Sequence, residues 1–238
     1  MASVWVGTSG FSYPEWKGLF YPTDLPGRQR LSYYASRFCA VEIDSTFYRM
    51  PSTKTLDGWR DATPKGFRFA LKATQQITHR QRLRVPSEAV TYLTSTVESL
   101  GSRLGLLVYQ LPPFFKCDLE KLKAFLQVLP VSFRSSFEFR HPSWFVPEVY
   151  QLLEKHGVVL CIHDSDEGCT PMELTAPAVY VRLRRSHYTD EAREKWKAQW
   201  RSWAASGIEV FAFIKHKDNP DAPRIALQFA EGFDSTGL

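Results

Sequence analysis

The clearest alternation of apolar and polar residues in the chain lies between residues 136 and 140. Phe137 and Phe139 would face one side of a short strand, and Glu138 and Arg140 the other, because successive strand side chains point to opposite faces. A strand face that carries a carboxylate and a guanidinium is usually solvated. It becomes a candidate site if the strand lines the mouth of a barrel.

The same period counting along the whole chain predicts strands and helices in alternation. Pro142 cannot continue a ladder because it has no N–H, and Ser143 is a suitable N-cap for the next helix. Strands are predicted at residues 4–7, 40–44, 67–72, 105–110, 136–140, 158–163, 179–184 and 209–214. Helices are predicted at residues 28–38, 53–61, 86–100, 119–129, 144–156, 190–204 and 221–233. The connection between the sixth and seventh strands fits least well, with space only for a short helix near residues 171–175.

This alternation over 238 residues predicts an α/β fold, a TIM-type (β/α)8 barrel that forms one domain over residues 1–238. Two small domains are the alternative division, but no linker rich in Gly, Ser or Pro separates them. An open doubly wound sheet is the alternative fold. It normally has a glycine-rich turn that opens a helix after the first strand, and residues 7–10 are followed by no predicted helix.

A long loop follows the first predicted strand, over residues 8–27, and it is rich in aromatic residues. Trp16, Phe20 and Tyr21 would each bury about 150–250 Å² when packed, so leaving them in water is unfavourable. We therefore expect the loop to be ordered and to cover part of the barrel mouth.

Composition gives the chain enough apolar residues for one large core, at 44% hydrophobic and 14% aromatic. No stretch approaches 18 consecutive apolar residues, and the N-terminus lacks the pattern of a signal peptide, so neither a membrane span nor a signal peptide is predicted. The four cysteines contain no C-x-x-C pair, which favours reduced thiols and a cytoplasmic protein. The net charge of +5 fits either solubility alone or an anionic partner.

Ionisable residues stand near the carboxyl ends of most predicted strands, where TIM barrels build their active sites. The anionic residues there are Glu42, Asp44, Glu138 and Asp164, and the cationic residues are Lys72, Arg140, Arg182, Arg184 and Lys215. At least one cation would lack a partner if all were ionised, which is unfavourable in an interior unless an anion binds. The alternative is that these residues form only a paired charge network that fills the centre of the barrel.

Several segments, in order along the chain, resemble one family. They are GTSGFSYPEWKGLFYP near the start, VEIDSTFYRMP, FALKATQQITH, LVYQLPPFF, FEFRHPSW, and YVRLRR followed by Tyr188. On these segments the chain is similar to the YecE-like family, the domain of unknown function 72, over about residues 4–230. The resemblance implies a TIM-type barrel and no particular reaction. Two segments depart from the family pattern and are more basic here, Arg182-Leu183-Arg184-Arg185 and the run that begins at Lys215.

Strand ends and matched segments together supply the candidate site residues. The candidate catalytic groups are Glu42, Lys72, Glu138 and Asp164. The candidates for binding an anionic substrate are Thr8, Ser9, Tyr48, His79, Gln110, Arg140, Trp144, Arg182, Tyr188 and Lys215. The preferred hypothesis is an enzyme, of hydrolase, isomerase or lyase type, that acts on a phosphorylated or otherwise anionic small molecule. Glu42 and Glu138 would exchange protons, while Arg140, Arg182 and Lys72 would bind the anion.

Two other classes of function remain open. The basic composition and the loop aromatics would also suit a protein that binds or processes nucleic acid, and nothing distinguishes an enzyme from a non-catalytic sensor of an anion. No cofactor is predicted. Carboxylates and a histidine could hold a divalent metal, but no H-x-H or H-E-x-x-H spacing supports one, so no metal ligand is assigned. The sequence does not predict the oligomeric state.

Overall fold

The computed structural model describes residues 2–215 and 220–233 of the chain. Eight strands form the barrel: β1 (Val4–Thr8), β2 (Ala40–Ile43), β3 (Arg68–Lys72), β4 (Leu104–Gln110), β5 (Ser135–Glu138), β6 (Val159–Ser165), β8 (Ala178–Leu183) and β9 (Glu209–Ile214). The two-residue strand β7 (Gly168–Cys169) folds back antiparallel on β6. The helices are α1 (Arg30–Ala35), α2 (Thr53–Asp61), α3 (Glu88–Val97), α4 (Leu119–Val128), α5 (Pro147–Lys155), α6 (Asp190–Ala205) and α7 (Ala222–Ala230).

The eight barrel strands are all parallel and follow the order β1-β9-β8-β6-β5-β4-β3-β2. This order confirms the predicted α/β barrel of TIM type. Because the strands are parallel, all eight end at one mouth.

The barrel closes between β1 and β2 without a regular ladder. A single bridge joins Ser9 to Glu42 there. Next to it the Tyr34 hydroxyl accepts a hydrogen bond from Thr8 N at 2.8 Å and donates one to Ala40 O at 3.1 Å. The hydroxyl of Tyr34, a residue of α1, thus takes the place of a direct backbone hydrogen bond between the two strands.

Strand periodicity divides the apolar residues into an interior layer and an outer layer. The interior of the barrel holds Trp5, Ala40, Ala70, Leu106, Val108, Val159, Cys161, Ala178, Tyr180, Phe211 and Phe213. The residues that alternate with them, such as Val41, Phe69 and Ile162, join the larger core beneath the helices. Towards the mouth the interior layer changes from apolar to charged side chains, so the buried charge inside the barrel lies at one end.

Most helix starts follow the expected capping chemistry. The side chains of Ser52, Ser87, Asp118 and Thr189 each accept a hydrogen bond from a backbone N–H in the first turn of the helix they precede. Among the described residues, no helix is long and apolar enough to cross a bilayer.

Two local predictions are wrong. Ser143 caps no α-helix, because its hydroxyl accepts a hydrogen bond from Cys117 N at 2.8 Å and α5 begins only at Pro147. The segment of residues 171–175 forms no helix, since the chain between β6 and β8 turns back through β7 and then runs irregularly.

The loop after β1 buries its aromatic residues, as expected. Trp16 and Tyr21 are almost fully buried, and Phe20 packs against the aromatic side chains of α1. Most of the loop therefore covers the outside of the β1–β2 seam rather than the mouth. Its first part comes nearer the mouth, where burial and then the charges of Asp44 and Glu42 raise the pKa of Tyr13 to about 12.

Candidate functional site

Arg182 stands at the centre of the charged end of the barrel, with its side chain only 1% exposed. Its Nη1 donates to Glu138 Oε2, and its Nη2 donates to Glu42 Oε1 at 2.5 Å and to Asp44 Oδ1 at 3.1 Å. One guanidinium on β8 therefore joins carboxylates from β2 and β5 across the interior. Such charge-assisted bonds fix geometry as well as contributing energy.

Glu42 is fully buried and accepts from two further groups. The Ser9 hydroxyl donates to Glu42 Oε1 at 2.6 Å, and the Tyr180 hydroxyl donates to Oε2. Burial raises the pKa of Glu42, and the nearby charge of Arg182 opposes that rise without cancelling it. The site therefore favours the protonated form of Glu42 more than water does.

Glu138 is equally buried, but its pKa is shifted in the opposite direction. It accepts from Gln110 Nε2 at 2.7 Å and from Arg140 Nε at 3.2 Å, besides Arg182. Burial alone would raise the pKa of Glu138, but the charges of Arg182, Arg184 and Arg140 outweigh burial and hold the pKa well below its usual value. The pKa values of two carboxyl groups on one guanidinium are thus shifted in opposite directions, as they are in enzymes that separate an acid from a base.

The β2–β3 side of the mouth holds a second set of polar groups. Lys72 Nζ lies 3.9 Å from Asp44 Oδ1 and 4.1 Å from the centre of the Phe47 ring. Burial lowers the pKa of Lys72, opposed by the charge of Asp44. The His79 ring packs edge-on against the Phe47 ring, with 4.8 Å between the ring centres. Tyr48 is 76% exposed, and its ring also packs edge-on against Phe47.

A cleft of about 760 Å³ opens on the opposite side, above the ends of β5, β6, β8 and β9. Its polar lining comprises Arg140, His163, Arg184 and Lys215 together with the hairpin residues Ser165, Asp166, Glu167, Gly168, Cys169 and Thr170. Its apolar lining comprises Pro113, Pro142, Phe145 and Pro171. Three cations face one cleft that is large enough for a small molecule.

Arg184 is the least well partnered of these cations. Its side chain is 12% exposed, and its Nη2 lies 4.0 Å from Glu42 Oε1, beyond hydrogen-bond distance. Its Nε is buried without a hydrogen-bond partner, and within the described residues its guanidinium donates no hydrogen bond. Burial, followed by the charge of Arg182, lowers the pKa of Arg184. A buried cation in this state is costly, and a bound anion would relieve the cost.

Asp164 and Tyr188 do not belong to the central cluster, contrary to the prediction. Asp164 accepts from Arg185 Nη2 at 2.8 Å, from the Tyr188 hydroxyl at 3.1 Å and from Trp196 Nε1 at 3.1 Å. Strand alternation turns His163 into the barrel and Asp164 outwards to α6. These residues form a separate cluster that anchors α6 to the sheet.

Trp144 and Thr8 also lie outside the interior. The Trp144 ring is fully buried, stacks on Phe139 at 4.6 Å and donates from Nε1 to Phe115 O at 2.7 Å. The Thr8 hydroxyl lies 2.9 Å from the Tyr34 hydroxyl in the seam. Both side chains are occupied in packing and cannot reach a ligand in the cleft.

The structure brings together Ser9, Glu42, Lys72, His79, Gln110, Glu138, Arg140 and Arg182 around the mouth, with Lys215 in the cleft. Sequence analysis missed Tyr180 and His163 as site residues. Continuing the period of two backwards from Arg182 reaches Tyr180, so that signal was available. With Asp164 paired elsewhere, the charged residues that the sequence placed at the mouth number five cations and three carboxylates, and the structure adds Asp166 and Glu167 in the lining of the cleft.

No group of three or more His, Cys, Asp or Glu residues in the described part of the chain is arranged to hold a metal ion.

Comparison with known proteins identifies a family and several relatives of this chain. A family model described as a protein of unknown function, DUF72, matches residues 5–237. The UPF0759 protein YunF of Bacillus subtilis (strain 168) is 24% identical over 271 residues, covering 97% of this chain and 95% of that protein. The UPF0759 protein YecE of Escherichia coli (strain K12) is 33% identical over 143 residues, covering 60% of this chain and 50% of that protein.

Solved structures agree with the barrel. A DUF72 family protein of Thermotoga maritima superposes with a TM-score of 0.85 at 28% identity, covering 96% of this chain and 98% of that one. A DUF72 family protein of Enterococcus faecalis V583 has a TM-score of 0.78 at 22% identity, covering 96% of this chain and 94% of that one, and this similarity shows the fold alone. The resemblance found in the sequence is confirmed, and the chain belongs to the DUF72 family.

Proposed function

We propose that the protein is an enzyme that binds a small anionic molecule, such as a phosphate ester or a carboxylate, in the cleft at the mouth of the barrel. The observation that carries this proposal is the buried guanidinium of Arg184, which lines the cleft and lacks a hydrogen-bond partner among the described residues. An anion placed between Arg184 and Arg140 would supply the missing acceptor. Guanidinium forks suit the paired oxygens of phosphate and carboxylate.

Arg140 is well placed to share such an anion. Its hydrogen bond to Glu138 uses only Nε, and its side chain is 38% exposed at the edge of the cleft. Nη1 and Nη2 of Arg140 therefore remain for the ligand. Both Nη groups of Arg182, in contrast, donate hydrogen bonds to carboxylates. We therefore assign Arg182 a structural role, which is to hold these carboxylates in place beneath the ligand.

The acid and base work falls to groups that the substrate can reach. Glu42 and Glu138 are fully buried, and each accepts hydrogen bonds from three side chains. They therefore hold the Arg182 guanidinium in place and contribute to the electrostatic potential at the mouth. Asp44 is 36% exposed and faces Lys72 on the β2–β3 side, outside the lining of the cleft, so this pair exchanges protons only with a substrate that extends from the cleft across the mouth. The buried charge network of Glu42, Glu138 and Arg182 thus lies beneath the more exposed groups that would contact the substrate.

The lip of the cleft favours a small ligand over nucleic acid. Asp166 and Glu167 lie at the turn between β6 and β7 and line the cleft together with the cations. Two carboxylates at the entrance would repel a polyanion but leave space for a compact one. All four cysteines are free thiols, which supports the further proposal of a cytoplasmic location.

The test is to follow thermal unfolding at low ionic strength while adding inorganic phosphate or sulfate. At about 100 times its dissociation constant, a ligand selective for the folded state stabilises by about 2.7 kcal/mol. That corresponds to a rise of about 5–10 °C for a chain of this size. Arg184→Gln should remove most of the rise, because the buried cation that needs the anion is gone.

Arg60→Gln is the matched control, since it removes the same charge from an arginine paired with Asp57 on the surface of α2. It should keep the rise seen in the wild type. A wild type that does not respond to either anion, or an Arg184→Gln variant that responds like Arg60→Gln, would sink the proposal. Mass spectrometry of small molecules that co-purify, followed by a search for turnover, separates an enzyme from a sensor.

A further inference from the structure

His163 is the one imidazole among the polar groups that line the cleft in the described residues. It lies on β6 directly opposite Arg182 of β8 in the strand register. Both backbone polar groups of His163 are hydrogen-bonded to Thr170. His163 N donates to Thr170 Oγ1 at 2.9 Å, and Thr170 N donates to His163 O at 3.0 Å. Its ring makes no hydrogen bond within the described residues, so the ring nitrogens are available to a ligand.

The charged groups around the ring come from every neighbouring element. β5 and its end supply Glu138 and Arg140, β8 and its end supply Arg182 and Arg184, and Lys215 follows β9. The hairpin supplies Asp166 and Glu167 at the lip. The thiols of Cys161 and Cys169 have pKa values raised by burial and remain protonated.

Burial and the surrounding cations together favour the neutral imidazole. Burial, together with Arg184, Arg182 and Arg140 and against the charge of Glu138, lowers the pKa of His163 to about 4. An anion bound between Arg140 and Arg184 would offset the positive potential that keeps the proton away. Binding of the anion and protonation of the ring should therefore favour each other.

We propose that His163 takes up a proton from solvent when an anion binds beside Arg140 and Arg184, and then serves as a further donor to that anion and as its proton source. This inference rests on the proposed function and adds a catalytic residue to it. The substrate class that fits is an anion in which an oxygen gains a proton during reaction, such as the leaving oxygen of a phosphate ester. When such an ester is hydrolysed, water forms a new bond to phosphorus as the P–O bond to the leaving oxygen breaks, and the imidazolium gives its N–H proton to that oxygen and returns to the neutral form.

The size of the effect follows from the two protonation states. If the anion returns the pKa of His163 from about 4 to its ordinary value of about 6.5, anion affinity becomes about tenfold greater at about pH 5.5 than at about pH 7.5. At about pH 6, binding of one anion should be accompanied by uptake of about 0.75 proton.

Sulfate is the suitable probe because it stays doubly charged across this pH range. Its affinity would be measured from the stabilisation of the wild type, of His163→Gln and of a control, His156→Gln, at both pH values. His156 lies at the C-terminal end of α5, away from the cleft lining. The wild type and His156→Gln should show the tenfold ratio, and His163→Gln should lose most of it. The His163 ring proton, followed by NMR, should shift to the imidazolium position when sulfate is added at about pH 6.

The outcomes separate the two proposals. If sulfate stabilises the wild type but the His163 resonance keeps its neutral position, His163 is not the proton carrier and the anion site still stands. The same conclusion follows if His163→Gln retains the full affinity ratio. If sulfate does not stabilise the wild type at either pH, both proposals fail. The NMR measurement on the wild type decides the question even if His163→Gln does not fold.

Discussion

Removal of the guanidinium of Arg182 is the sharpest test of how the charged end of the barrel is held. Arg182→Met keeps most of the aliphatic length and deletes the donors to Glu42, Glu138 and Asp44. The two fully buried carboxyl groups then keep only their other partners. Glu138 is affected most, because Arg182 is the largest of the charges that hold its pKa below the usual value.

The expected loss can be bounded from the chemistry of that carboxyl group. Removing one partner of a buried ion pair costs about 3–5 kcal/mol. The loss is limited because Glu138 can take up a proton instead. Protonating a carboxyl group of ordinary pKa at about pH 7.5 costs about 4 kcal/mol, and at about pH 5 it costs about 1 kcal/mol.

The pH dependence has a definite sign. Without Arg182, burial should raise the folded-state pKa of Glu138 above its unfolded value, and the resulting penalty is present at neutral pH and relieved as the pH falls. In the wild type the folded-state pKa of Glu138 lies below its unfolded value, so its stabilisation is lost as the pH falls. Both effects reduce the difference between the two proteins at low pH.

Urea unfolding of wild type and Arg182→Met at about pH 7.5 and about pH 5 measures this difference. We expect a loss of about 4 kcal/mol at the higher pH and about 1–2 kcal/mol at the lower pH. Adding Glu138→Gln to the variant should restore part of the stability and remove the pH dependence. Arg134→Met is the control, since it breaks a half-exposed pair with Glu209 and should cost less than about 1 kcal/mol. A loss below about 1 kcal/mol for Arg182→Met, or an equal loss at both pH values, would refute the argument.

Two further predictions concern side chains outside the charge cluster. Tyr34→Phe leaves Thr8 N and Ala40 O without partners in the seam and should cost about 1–3 kcal/mol in urea unfolding, so a change within experimental error would contradict the role of the hydroxyl. Asp164→Asn should cost about 1–3 kcal/mol by weakening the cluster that anchors α6, while the stabilisation by sulfate that depends on Arg184 stays unchanged. Loss of that stabilisation in Asp164→Asn would return Asp164 to the binding site.

The barrel itself was predictable because strands and helices alternate with clear periods and the segment matches run through nearly the whole chain. Local sequence signals predict the bounds of a helix well where no tertiary contact competes for the capping side chain. An example is α2, which begins directly after the Ser52 cap. Such signals misled at Ser143, where a residue distant in sequence, Cys117, donates to the hydroxyl that would have capped a helix. Tertiary contacts override local capping in such cases.

The site was predicted less completely for a related reason. β6 is buried on both faces, so its apolar run does not say whether His163 or Asp164 points inwards. Where a strand alternates clearly, as in the segment with Glu138 and Arg140, the inward face was identified correctly. The lack of a partner for Arg184 depends on a distance of 4.0 Å between atoms of separate strands, and no sequence pattern encodes that distance.

The seam between β1 and β2 restricts how this barrel can vary in evolution. A backbone ladder tolerates almost any side chain, because the peptide groups supply the bonds. Closure through the Tyr34 hydroxyl does not, since a Cβ at Gly7 would lie 2.0 Å from Ala40 O and 3.0 Å from that hydroxyl. A side chain at Gly7 would clash with Ala40 O whatever residue stands at position 34, so a chain that filled position 7 would have to rebuild the pairing of its first two strands, whereas a chain that lost the Tyr34 hydroxyl would lose two hydrogen bonds of the seam.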